Sequence, residues 1–317
     1  MTEDTPMAEA PDAGARRRDF FRTAAGAAAV TVGAAALLST ATSGNAQTSA
    51  EDSSLLNFAL NLEYLEAQFY YHAAFGEGLP NSLLGSGATR GEAVGGRKAN
   101  FTDPVIAQYA REIAQDERNH VEFLRATIGN SAVPQPRINI GSGPNGAFSQ
   151  AARAAGLIGP NETFDPYASD ENFLLAAYIF EDVGVTAYKG AVGLIGNRAL
   201  VQATGGLLAV EAYHAGLIRT SLYRKGLRQP ELRQATVAIS NARDSLDGPE
   251  ERDQGVYQRQ GAANVAPLDE DGLVFTRTPG EVLNIVYLSD EAVLRGGFFP
   301  NGVNGTIRKS DANQAAE

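Results

Sequence analysis

A chain of 317 residues carrying 26 basic and 37 acidic side chains has a net charge of −11. It repels nucleic acid and anionic lipid, so neither is expected as a partner. No cysteine is present, which excludes disulfides, thiolate ligands, iron–sulfur centres and a rubredoxin-type electron relay.

The first stretch reads as a targeting segment. Arg17-Arg18-Asp19-Phe20-Phe21-Arg22 resembles a twin-arginine export signal, a small-residue apolar run from Thr23 to Leu38 follows, and Gly44-Asn45-Ala46 offers a cleavage pattern. The run is short and Ala-rich for a spanning helix. The expectation is a signal peptide over residues 1–46 and a mature chain from about Gln47. That chain is exported folded to the periplasm or beyond, with no membrane contact after cleavage. Folded export suits a cofactor inserted before crossing.

Four long helices follow, over residues 47–228. The first is predicted from about Ser53 to Ala74, capped by Asp52 or Ser53 and stopped by Gly76, with Leu56, Ala59, Glu63 and Tyr70 on one stripe. A glycine-rich loop leads to the second, which opens on Asp103 as N-cap and Pro104 at its first position, and ends before Gly129. Its stripe is Ile106, Ala110, Ile113, Glu117, His120 and Leu124. A long connection containing Pro134, Pro136 and Pro144, with a short helix from Ala147 to Leu157, precedes the third helix. That helix spans about Asp170 to Ile195 and carries Leu174, Ala177, Glu181, Tyr188 and Val192 inward. Gly196-Asn197 turns tightly into the fourth, about Arg198 to Lys225, with Thr204, Leu207, Glu211, His214, Ile218 and Leu222 on its stripe. An extension over residues 229–308 holds a fifth helix near 231–245, a sixth from Pro279 to Leu288, and a turn-rich Gly297-Phe298-Phe299-Pro300 segment whose aromatics are expected to dock on the bundle. The tail from Lys309 is expected to be disordered.

The chemistry lies in the stripes. Two of the three histidines, His120 and His214, sit three residues after a glutamate, Glu117 and Glu211. Residues so spaced share a helix face about 5–6 Å apart and can hold one ion together. Glutamate occupies 21 of the 317 positions, so chance gives this coincidence about once in 75. The other two helices each carry Glu-x6-Tyr: Glu63 with Tyr70, and Glu181 with Tyr188. The halves thus read as a diverged repeat presenting six metal ligands: Glu63, Glu117, His120, Glu181, Glu211 and His214. Four carboxylates on core faces cost several kcal/mol each unless protonated, paired or metal-bound. Two divalent ions balance them with both histidines neutral, and the oxygen-rich donor set suits iron or manganese before zinc or copper. Glu117 and Glu211 are the expected bridging ligands. Glu66 rivals Glu63 and Asp182 rivals Glu181; the matched Glu-x6-Tyr spacing favours Glu63, and Asp182 lies off the stripe. Tyr70 and Tyr188 are read either as core aromatics or as hydrogen-bond donors to ligands. His72 has no glutamate partner at helical spacing.

The run Leu56-Asn57-Phe58-Ala59-Leu60-Asn61-Leu62-Glu63-Tyr64-Leu65-Glu66 resembles the first helix of bacterial ferritin-like proteins related to plant desiccation-associated proteins. So do Thr278-Pro279-Gly280-Glu281-Val282-Leu283-Asn284-Ile285-Val286-Tyr287 and Gly297-Phe298-Phe299-Pro300-Asn301-Gly302, and the likeness covers about residues 50–305. The resemblance implies an all-α, ferritin-like four-helix bundle with its long crossover between the second and third helices, plus a C-terminal extension. Three functions are compatible with these residues. One is a two-metal protein reacting with peroxide or oxygen, or oxidising ferrous iron. Another is a non-catalytic protective protein of the cell envelope, and the third a surface-binding module using the C-terminal aromatics. A homo-oligomer is compatible with each.

Overall fold

Each helix of the bundle starts where a side chain satisfies its first free amides. The computed structural model describes residues 48–257 and 262–313; the expected signal peptide and residues 314–317 lie outside them. Helix α1, Ala50–Phe75, opens with Ser49 accepting from the Asp52 amide at 2.9 Å, and Gly76 ends it at φ 84°. Its start lies one turn before the expected cap. Helix α2, Pro104–Ile128, has the anticipated Asp103 cap, Pro104 start and Gly129 stop. Helices α4, Asp170–Val192, and α5, Arg198–Gly226, are capped by Ser169 and Asn197. The short α3, Ala147–Ala154, lies in the crossover.

α1 packs along α2 and α4 along α5, and α1 meets α4 across the centre. The long crossover thus joins the two hairpins, as expected for this bundle. A small parallel ladder pairs β1, Ala93–Val94, with β2, Ile138–Asn139, tying the loop after α1 to the crossover. Phe69 of α1 gathers Phe148, Tyr167, Phe173 and Phe180 around it at 5.2–5.9 Å between ring centres.

The extension is part of the core. Helices α6, Pro230–Asp247, and α7, Pro279–Tyr287, pack on the bundle, and α7 opens with a capping box between Thr278 and Glu281. Phe298 and Phe299 are fully buried, with Phe298 against Phe148 at 5.1 Å and Phe180 at 4.9 Å. That removes the surface-binding reading, because neither ring is available to a partner. The Asn304 amide donates to Asn61 Oδ1, and Asn61 Nδ2 donates to the Asn304 carbonyl, both at 2.8 Å. The tail differs from expectation over 309–313: Ser310 is buried and the Asp311 amide donates to Asn284 Oδ1. This covering explains why α1 and α4 are buried on nearly all sides while α2 and α5 bury one face.

Three buried arginines fasten the extension. Arg219 donates to Asp182 at 2.7 Å and to the carbonyls of Gln254, Gly255 and Asn264. Arg243 reaches Asp182 at 3.0 Å and Asp253 at 2.7 Å, and Arg277 reaches Asp247 at 2.6 Å. Among the described residues no helix is long and apolar enough to cross a membrane.

Candidate metal centre

Mid-helix positions on the four inner faces bring the six predicted residues into one buried cluster, each no more than 6% exposed. Glu117 is the shared member. Its Oε2 lies 3.5 Å from His120 Nδ1 and its Oε1 lies 3.0 Å from His214 Nδ1, with the two rings 6.3 Å apart. Glu63 Oε2 stands 3.2 Å and Glu211 Oε1 3.7 Å from His120 Nδ1, while Glu181 Oε2 stands 3.7 Å from His214 Nδ1. The ligand atoms form two groups that could each hold an ion: Glu63, Glu117, His120 and Glu211, then Glu117, Glu181 and His214.

The tyrosines work crosswise. Tyr70 of the first hairpin donates to Glu181 Oε1 of the second, and Tyr188 of the second donates to Glu63 Oε1 of the first. Each hydroxyl holds one carboxylate oxygen and leaves the other turned toward a histidine. Gly184 makes room for the fourth carboxylate, since a Cβ there would stand 2.2 Å from Glu211 Oε2.

The rivals separate cleanly. Glu66 is buried but lies outside both ligand groups. Asp182 is taken by Arg219 and Arg243. His72 packs beneath Gly78 and Gly96, away from the cluster. A further group, Asp244, Asp247 and Asp253, also gathers carboxylates. It is met by Arg243, Arg252 and Arg277, which neutralise it without an ion.

Sequence reasoning missed Asp116. Its Oδ2 lies 3.2 Å from His214 Nε2, a contact that fixes the ring and leaves Nδ1 facing the glutamates. Its signal was weak because it sits one residue off the α2 stripe, and only the approach of α5 reveals its partner.

The donor set fits a pair of cations. Both oxygens of Glu211 and Glu181 Oε2 are buried with no hydrogen-bond partner. Such orphaned atoms are rare, because each costs its full desolvation. Burial pushes Glu63 up to about 7 and Glu181 up to about 8, and it carries Glu211 well above the usual carboxylate range. Burial acts on Glu117 too, but His120 and His214 outweigh it and hold Glu117 below that range. Burial opposes charge on the imidazoles, yet Glu63 and Glu117 lift His120 to about 11, and Asp116 and Glu117 lift His214 to about 10. Without metal these raised groups hold on to protons, and bound cations would release them.

Comparisons with known proteins agree with this geometry. The family described as "Ferritin-like domain" matches residues 51–224. The chain is 31% identical over 274 residues to the ferritin-like catalase Nec2 of Nesocodon mauritianus, covering 81% of this chain and 85% of that protein. It is 33% identical over 267 residues to the desiccation-related protein PCC13-62 of Craterostigma plantagineum, covering 80% and 83%. No solved structure matches. With its bundle and its buried carboxylate–histidine cluster in place, the chain belongs to the ferritin-like family.

Proposed function

We propose that the protein is an exported two-metal carboxylate enzyme that disproportionates hydrogen peroxide, with iron or manganese held by Glu63, Glu117, His120, Glu181, Glu211 and His214. The observation that carries this reading is Glu117, whose two oxygens face two different histidines inside a cluster of orphaned carboxylate oxygens. A carboxylate so placed could serve two ions at once. The likeness to a protein named a catalase supports the choice of peroxide. The arginine pair at residues 17–18 supports export in the folded, loaded state.

When bound, the metal pair supplies a store for two electrons. Disproportionation then balances without a donor: one peroxide gives up two electrons and two protons to become dioxygen, and another accepts them to become two waters. That suits a chain with no cysteine for an electron relay. The protein's own groups hold the geometry and the protons. Tyr70 and Tyr188 keep Glu181 and Glu63 from rotating, Asp116 orients His214, and burial excludes bulk water.

The test is elemental analysis of protein matured through its own export route, paired with peroxide consumption, in wild type and Glu117→Ala/Glu211→Ala. About two iron or manganese ions per chain, lost with the activity in the variant, is the expected result. The likeness to a desiccation-related protein favours a second reading, a protective protein whose metals only brace the bundle. Metal bound at that ratio with no peroxide turnover and no ferrous iron oxidation would establish it.

A further inference from the structure

The two hairpins repeat, but they differ at a pair of equivalent positions beside the centre on the α1–α4 side. Three residues after Glu63 comes Glu66, and three residues after Glu181 comes Gly184. Both line a small cavity of about 10 Å³ at the seam between α1 and α4. The remaining wall is apolar: Leu62 and Leu65 from α1, Ile179, Phe180 and Val183 from α4, and Ile285 and Val286 from α7. Glu66 is 6% exposed and makes no hydrogen bond among the described residues. Gly184 backs directly onto the centre, because the space its Cβ would fill lies 2.2 Å from Glu211 Oε2.

We propose that this cavity is the path by which a small uncharged oxidant reaches the metal centre, with Glu66 as the polar group that receives it. The inference rests on the two-metal peroxide reading and adds to it a route and a substrate size. A space of about this volume accepts roughly one water-sized molecule. Its apolar lining gives no foothold to a hydrated cation, so it suits peroxide better than ferrous iron. Glu66 offers hydrogen bonds that peroxide can meet with both its donors and its acceptors. At the far wall, the Gly184 backbone alone stands between the cavity and Glu211. The geometry also gives α7 a role, since its Ile285 and Val286 line the path.

Nitric oxide is a small uncharged probe whose binding to the ferrous protein is followed by absorbance without turnover. The full mature chain is loaded with ferrous iron without oxygen, and the binding rate is compared in wild type, Val286→Phe, Leu62→Phe and Asn119→Trp. The first two narrow the cavity from different walls, and the third adds bulk beside His120 on α2. The expected result is a rate about tenfold lower in both cavity variants, with iron content retained, and unchanged in Asn119→Trp. Glu66→Leu is expected to leave nitric oxide binding intact while raising the KM for peroxide more than it lowers kcat, and Glu66→Gln to restore most of that loss. Unchanged binding in both loaded cavity variants would overturn the route while leaving the metal centre standing. Slowing in Asn119→Trp alone would place the way in at the histidines and would also overturn it. A wild-type protein that takes up no iron would overturn the centre, and the route with it.

Discussion

Replacing Gly184 by alanine adds one methyl group at the point where helix α4 passes closest to Glu211. The new Cβ would lie 2.2 Å from Glu211 Oε2 and 3.1 Å from its Cδ. Carbon and oxygen rest at about 3.3 Å, so the carboxylate has to retreat by about 1 Å. Alanine improves an interior helix position by about 1 kcal/mol over glycine. Crowding one methyl into a packed site costs about 1–3 kcal/mol. The two nearly cancel, so the metal-free variant is expected to unfold within about 2 kcal/mol of wild type. Metal binding gains nothing to offset the displaced ligand. Affinity for at least one ion is expected to fall about 10–100-fold, as when a supporting partner of a ligand is lost. Calorimetric titration of the metal-free protein with manganese measures the affinity, and thermal unfolding of the same sample measures the stability. Undiminished binding of two ions, with stability raised by the full helix-propensity gain, would refute the reasoning. Glu211 would then not occupy that space when the site is filled.

Other consequences follow from the same geometry. Asp116→Asn keeps the size of the side chain but removes the charge facing His214 Nε2, and is expected to weaken one of two manganese-binding steps about tenfold in the same titration. In the metal-free protein, burial holds Glu63 at about 7 and Glu181 at about 8 against 4.5 when unfolded, so the fold binds the extra protons and loses stability as pH rises through that window. His120 at about 11 and His214 at about 10 act in the same direction above 6.5. Cations replace these protons, so the gap in melting temperature between loaded and metal-free protein is expected to widen from about pH 5 to about pH 8; a constant gap would contradict it. Phe298→Ala empties a fully buried site between Phe148 and Phe180 and is expected to cost about 3–5 kcal/mol in denaturant unfolding.

Local chemistry made much of this structure legible in the sequence. Asp103, Pro104 and Gly129 marked the ends of α2 because caps depend on the residues beside them. The clustering of the six candidate residues was readable because a glutamate and a histidine three positions apart on an apolar face have few other uses. Long-range features were not readable. The crossed tyrosines join residues 111 and 125 positions apart, so their spacing showed that they match but not which glutamate each would meet. α1 shows apolar residues on nearly every side, yet only the folded extension reveals what covers them. Arg219 finds Asp182 and the carbonyls of Gln254, Gly255 and Asn264 only in the folded chain, from partners 35 to 45 positions away.

The repeat itself separates what the centre requires from what each side of it does. Glutamate, tyrosine and Glu-x-x-His positions match between the hairpins, as two ions in one cluster would require. The departures from symmetry lie just outside the ligands. On the α1–α4 side, Glu66 faces a space beside Gly184, so one half contributes a polar group and the other contributes room. On the α2–α5 side, Asp116 supports His214, while the equivalent of Asp116 before Glu211 is Val210, which has no carboxylate to offer His120. A purely structural metal brace would gain nothing from such inequality, since two equal sites hold a bundle as well as two unequal ones. A centre that admits a molecule beside α1 and α4 and has one histidine braced from α2 would have a use for both departures. Under the proposed function, that inequality is a reason to expect turnover rather than bracing alone.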